Sequence, residues 1–233
     1  MNDIPQQITL NIQLRDEFSF DNFFIGPNDV VIHDLKQWIA GEGNWLVYLH
    51  GQSGSGRTHL LQASCAQLSK EQHSAIYLPL LDLRQLSPDI LQNLENLYAV
   101  CIDDLESIAG LADWEEALFY LYNKIQTQGG RLLVTSTHTP ADIPLKLADL
   151  KSRFQAGVTY KMQPLSDDDK RSILKLRAKN RGFDLSDEVC GFIFSHAQRS
   201  LPMLMNVLDM LDKSSLESKR KITLPFVKQI MAW

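Results

Sequence analysis

A chain of 233 residues, 44% hydrophobic and 22% charged, suits one or two globular domains and is ample for a real core. No apolar run approaches the length of a membrane span, and a net charge of −5 argues against a surface that wraps nucleic acid throughout. Cys65, Cys101 and Cys190 lie far apart without a C-x-x-C pair, which argues for reduced, mostly buried thiols rather than a zinc site or a disulfide frame.

The N-terminal MNDIPQQITLNIQLRDEF has no basic region followed by an apolar block, so no secretory signal is read there and the cytoplasm is the expected compartment. Its polar residues with spaced aliphatics and no helical period predict an extended arm over 1–19. FDNFFIGPNDVVIHDLKQWIA then combines an aromatic cluster, a Gly-Pro break and an amphipathic stretch carrying Val30, Val31, Leu35, Trp38 and Ile39, a loop entering a helix. WLVYLH (Trp45–His50) reads as a buried strand that runs directly into Gly51. HLLQASCAQLSK is a helix, and AIYLPL (Ala75–Leu80) and LYAVCIDD (Leu97–Asp104) are strands. WEEALFYLYNKIQTQGG is an amphipathic helix stopped by Gly129–Gly130, and RLLVTST (Arg131–Thr137) is a further strand. Strands alternating with helices predict an α/β domain over 20–163, a mostly parallel sheet with helices on both faces. Over 164–233 the pattern becomes all-helical. LSDDDKRSILKLRAKNRGF opens with Ser166 as N-cap, acids first and bases later, and three more helices follow in LSDEVCGFIFSHA, SLPMLMNVLDMLDKSSLES and TLPFVKQIMAW.

GQSGSGRT (Gly51–Thr58) has the spacing of a phosphate-binding loop, G-x-x-x-x-G-K-[ST], with Arg57 where lysine belongs. Gly51, Gln52, Ser53, Gly54, Ser55 and Gly56 would turn backbone N–H groups toward phosphate oxygens, and the helix through Arg57, Thr58 and His59 would add its N-terminal dipole. The Thr58 hydroxyl would ligate Mg²⁺. Asp103, at the tip of a strand, would hold the same ion through water, and Asp104 could orient an attacking water. Arginine keeps the charge of lysine but is longer, planar and fork-shaped, so phosphate binding is expected to survive while the chain's own hydrolysis suffers. His50 and His59, which flank the loop, read as packing or polar groups rather than catalysts.

The order of these motifs resembles that of the AAA+ ATPases, and within them the DnaA initiator group, from about Phe20 onward. FDNFFIGPNDVV looks like the segment that closes over the base in DnaA, which implies Phe24 and Ile25 as nucleotide contacts. CIDDLESIAG is similar to the Walker B strand and its downstream turn. LLVTSTHTP resembles the sensor 1 strand, with Thr137 where DnaA usually has an acid. LADLKSRFQAGVTYKMQPLSDDDK resembles the arginine-finger segment leading into the lid, with Arg153 as a finger that acts in trans on a neighbour's ATP. The alternative for Arg153 is a surface arginine paired with Asp149 or Asp104. Where the family usually carries the sensor 2 arginine, this sequence has Pro202. Arg199 is the nearest substitute, with a solvated loop arginine as the alternative.

QITLNI (Gln7–Ile12) looks like the Q-x-[ST]-L-x-[LI] peptide that docks on the bacterial sliding clamp, with Gln7, Leu10 and Ile12 as its contacts. The resemblance further implies ADP or ATP with Mg²⁺, DnaA as a partner, self-association through an AAA+ interface, and a module lacking DnaA's helix-turn-helix and N-terminal oligomerisation domains. DNA contact is then indirect or weak. The function implied is a nucleotide-binding regulator of replication initiation that docks on the DNA-loaded clamp and stimulates hydrolysis of DnaA-bound ATP. The alternatives are an autonomous P-loop ATPase or kinase, against which Arg57 and the finger segment count, a DNA-binding replication loader, against which the acidic charge counts, and a pure adaptor.

Overall fold

The structure, a computed structural model, describes residues 18–233, so Gln7, Leu10 and Ile12 lie outside the described residues. In chain order its elements are α1 (Asp29–Ile39), β1 (Leu46–His50), α2 (Arg57–Lys70), β2 (Ala75–Pro79), the one-turn α3 (Leu80–Leu83), β3 (Ala99–Asp103), α4 (Ala112–Gln128), β4 (Arg131–Ser136), α5 (Ala148–Gln155), β5 (Val158–Lys161), α6 (Asp167–Asn180), α7 (Asp187–His196), α8 (Leu201–Ser218) and α9 (Leu224–Met231). They form two units. One holds Asn28–Met162 with residues 18–23, the other Gln163–Trp233 with Phe24–Pro27.

Among the described residues the first unit carries a five-stranded sheet, all parallel, in the order β2-β3-β4-β1-β5. The two-residue period of each strand sorts its side chains between two apolar layers. Leu46 and Tyr48 of β1, Val100 and Ile102 of β3, and Leu132 and Val134 of β4 pack with Trp114, Leu118 and Tyr122 of α4 and Leu150 and Phe154 of α5. Val47, Leu49, Cys101 and Leu133 face the other way, toward Leu35 and Trp38 of α1 and Leu60, Leu61 and Leu68 of α2. Cys65 and Cys101 are free thiols buried in that second layer, and Cys190 is free and buried in the other unit.

Strand β5 was not expected. Most of its side chains are exposed, so VTYK carries no apolar signal, and its place comes from backbone pairing to β1, from Val47↔Val158 to His50↔Lys161. Helix α2 also begins earlier than its apolar run, at Arg57 directly after the glycine loop.

The register aligns the strand ends. His50 lies opposite Ser136, and Ile102 opposite Val134, so the C-terminal tips of β1, β3 and β4 reach one edge of the sheet. That edge is where open α/β sheets place their ligand sites.

In the second unit, α6–α9 close around Leu174, Ile193, Leu204, Leu208, Leu211 and Phe226. Ser166 caps α6 in a reciprocal box with Asp169, as the Ser-plus-acids pattern predicted. Among the described residues no helix is long and apolar enough to cross a membrane.

Candidate functional site

Gly51 leaves β1 with its N–H bonded to the Ser136 carbonyl at 3.2 Å. A Cβ there would lie 2.9 Å from the Met162 Cβ, so only glycine lets the loop pass this close to β4 and Met162. Gly56 caps α2 at φ 95°, and a Cβ would sit 2.7 Å from the Phe23 ring. The chain therefore turns sharply and delivers the N-terminus of α2, whose first N–H groups have no partner within the helix.

Two buried polar groups at this junction, Ser55 Oγ and Arg57 Nη1, have no hydrogen-bond partner. Native interiors rarely leave such groups unmet. A phosphate oxygen would satisfy both, and the loop, the helix N-terminus and the arginine together fit an anion. Gln52, Ser53 and Thr58 are exposed at the same turn. His59 is buried and structural. Its Nε2 lies 2.8 Å from the Ser19 carbonyl oxygen, and its ring packs against Phe18 and Phe23 with centroids 5.0 and 5.1 Å away. It ties the segment before α1 to the helix that carries the loop.

Asp103 ends β3 almost fully buried, held by two hydroxyls. Tyr77 donates to Oδ2 at 2.9 Å and Thr135 donates to Oδ1. Each oxygen keeps further acceptor capacity, so the carboxylate suits a hydrated cation reached through water. Among the described residues no three His, Cys, Asp or Glu side chains converge to hold a bare metal ion. Asp104 follows at φ 53°, a conformation that Asp tolerates better than most residues. Burial, with Asp103 and Glu106 as like charges, pushes its carboxyl up to about 6, although Arg57 pulls the other way.

Glu106 was not singled out in the sequence. It stands on the 3₁₀ turn Leu105–Ile108, and its Oε1 accepts from the Thr137 N–H at 3.0 Å and the Thr137 hydroxyl at 2.6 Å. Burial raises its carboxyl, but the bonds from Thr137 outweigh that and hold it below its ordinary range. The same Oε1 is 4.0 Å from Arg57 Nη1. An acid is thus present at Thr137 after all, supplied by the neighbouring turn instead of by the strand. The signal that could have found it is an acid three residues after Asp103, where a tight turn swings it back across the sheet edge.

Arg153 lies on α5 at the surface, and none of the ion pairs among the described residues joins it to Asp149 or Asp104. Its helix is held from beneath. The Tyr122 hydroxyl donates to the Arg153 carbonyl at 3.1 Å. The buried Glu115 carboxylate accepts the N–H groups of Gly110 at 2.6 Å, Lys146 at 3.2 Å and Leu147 at 2.7 Å, and Leu147 is the N-cap residue of α5. In the second unit, Pro202 sits in the first turn of α8, where proline is accommodated. Arg199 is exposed and donates to Asp167 at 2.8 Å. Phe24 and Ile25 belong to that unit, with Ile25 about half exposed.

The family model described as the bacterial DnaA ATPase domain matches residues 14–81 and 82–161. The model described as "Hda, lid domain" matches residues 167–231. Among solved structures, domain III of the replication initiation protein DnaA from Thermotoga maritima superposes with a TM-score of 0.80 at 21% identity, covering 94% of this chain and 98% of that one. AMPPCP-bound DnaA from Aquifex aeolicus follows at 0.73 and 19%, covering 88% and 68%. The RuvB Holliday junction branch migration motor of Thermotoga maritima reaches 0.67 at 20%, covering 94% and 72%. These structural likenesses establish the fold, a parallel α/β sheet domain followed by a helical domain.

Proposed function

The chain belongs to the family of the bacterial DnaA ATPase domain, and from that membership we propose that it is a nucleotide-binding regulator of replication initiation that acts on DnaA. In this reading it docks on the DNA-loaded sliding clamp through Gln7, Leu10 and Ile12. It then presents Arg153 to ATP held by DnaA. The match of residues 167–231 to a lid described as that of Hda supports a DnaA-related regulator over the initiator itself.

The observation that carries the finger is the Arg153 guanidinium, exposed and without an ion pair among the described residues, on a short helix whose two ends are fixed by Tyr122 and Glu115. A planar cation with five donors on a rigid mount can neutralise charge developing on a neighbour's phosphoryl oxygens, a contribution of about 10³–10⁵ in rate in comparable systems.

The chain's own site holds ADP or ATP. Backbone N–H groups from Gly51 to Arg57 and the orphaned Ser55 and Arg57 groups would bind the phosphates, and Thr58 with Asp103 would hold Mg²⁺ through hydroxyl and water. When bound, Mg²⁺ supplies charge neutralisation on the phosphate oxygens. Asp103 is locked by Tyr77 and Thr135, and Arg57 is shared with Glu106, so these residues are arranged to hold rather than to turn over. The occupied site serves as structure and switch, while the hydrolysis that matters takes place on the partner.

The test is γ-phosphate release from ATP-loaded DnaA with clamp and DNA, adding wild type or Arg153→Ala. Strong stimulation by wild type and none by the variant supports the finger. Equal stimulation by both leaves an adaptor, and no stimulation by either removes DnaA control altogether.

A further inference from the structure

Beyond Ser55 and Arg57, one more buried atom at the loop is unspent, Glu106 Oε2. The other oxygen of that carboxylate is pinned by two bonds from Thr137 and faces Arg57 at 4.0 Å. The arginine is therefore shared between an internal carboxylate and whatever anion occupies the loop. Asp103 and Asp104 bring two further carboxyl groups to the same strand tip. A lysine would offer a point charge that a phosphate can take over entirely. Arg57 Nη1, the nitrogen without a hydrogen-bond partner, is also the one that faces Glu106, so a phosphate that takes up this donor draws on the charge nearest the carboxylate, which stays in place when the site fills.

We propose that Glu106 is a specificity-determining residue that biases the loop toward a nucleoside diphosphate over the corresponding triphosphate. The proposal rests on reading Gly51–Thr58 as the nucleotide site. A diphosphate takes up the free donors of Ser55, Arg57 and the helix N-terminus. A third phosphoryl group adds negative charge beside a carboxylate that is fixed and already owns part of the only guanidinium the loop contributes. Two like charges within about 10 Å of each other in a half-buried site repel enough to shift an equilibrium by about tenfold or more.

The experiment is calorimetric titration of the full chain with ADP and with the non-hydrolysable triphosphate AMPPCP, both with Mg²⁺, for wild type, Glu106→Gln, Glu106→Asp and Glu106→Ala. Wild type is expected to favour ADP. Glu106→Gln, which keeps an oxygen acceptor for Thr137, is expected to narrow the ADP-to-AMPPCP ratio by about tenfold, chiefly through tighter AMPPCP binding. Glu106→Asp keeps the charge and is expected to retain most of the preference. Glu106→Ala reports the same ratio should the amide disturb the turn, with circular dichroism confirming the fold of each variant. A wild type without preference, or a ratio unchanged in both neutral variants, overturns the role of Glu106 while leaving the nucleotide site standing. Binding of neither nucleotide by wild type overturns the nucleotide site itself, and this inference with it.

Discussion

Replacing Asp104 with asparagine should stabilise the protein, by an amount that depends on pH. The folded protein keeps the Asp104 proton up to about pH 6, whereas the unfolded chain releases it at the ordinary 3.8. Below 3.8 both states are protonated and the residue costs nothing. Between 3.8 and 6 the unfolded state gives up its proton first, so stability falls as pH rises, and above 6 the full penalty is in place. A shift of that size corresponds to about 3 kcal/mol, and screening at this half-buried position reduces it to about 1–1.5 kcal/mol. Asparagine never ionises, and it tolerates the φ of 53° as well as aspartate does. Thermal unfolding by circular dichroism should therefore place Asp104→Asn about 3–5 °C above wild type at pH 7.5, with less than about half of that gain at pH 4.5. An equal gain at both pH values would show that the effect is not a proton-linked charge. A loss at pH 7.5 would show that Asp104 makes a stabilising contact that offsets its burial.

Other substitutions separate the parts of the site. Glu115→Ala leaves the N–H groups of Gly110, Lys146 and Leu147 without their shared acceptor and should cost about 3–4 kcal/mol in urea unfolding, whereas a loss under about 1 kcal/mol would mean water replaces the carboxylate. Gly56→Ala combines a φ of 95° with a Cβ 2.7 Å from the Phe23 ring and should cost about 1–3 kcal/mol, read as a lowered melting temperature, unless Phe23 can swing aside freely. Arg153→Ala should change stability by less than about 0.5 kcal/mol in the same urea assay, so a lost stimulation of DnaA would report a missing guanidinium and not a damaged fold.

The parts legible in the sequence were those with a strong local signal. β3 and β4 are buried on both faces and carry short apolar runs, AVCI and LLV, and the glycine loop announces itself because glycine is sterically required at 51 and 56. Ser166 and its acids are a cap written in four residues. What escaped notice depends on contacts distant in sequence. β5 is an exposed edge strand defined by its pairing with β1 across more than a hundred residues. Tyr77 reaches Asp103 from the neighbouring strand, and Glu106 reaches Thr137 from a turn. Periodicity cannot report such pairings, because each partner looks ordinary in its own window.

The two arginines at issue differ in how their charge is held, and that difference supports a division of labour. Arg57 is buried, its ion pair with Glu106 is long, and one of its nitrogens lacks an acceptor. A buried cation in that condition is costly unless an anion arrives, so an anion bound at the loop would stabilise the fold. Arg153 is exposed, costs little when free, and stands on a helix fixed by Glu115 and Tyr122. The charge that would be inefficient as a permanent holder is thus the one available to a second molecule, and the charge that needs a permanent ligand is the one hidden inside. The two roles proposed for these arginines would be mechanically connected, because Glu115 links the segment after β3, just beyond the turn that carries Glu106, to the start of α5 through Gly110 and Leu147.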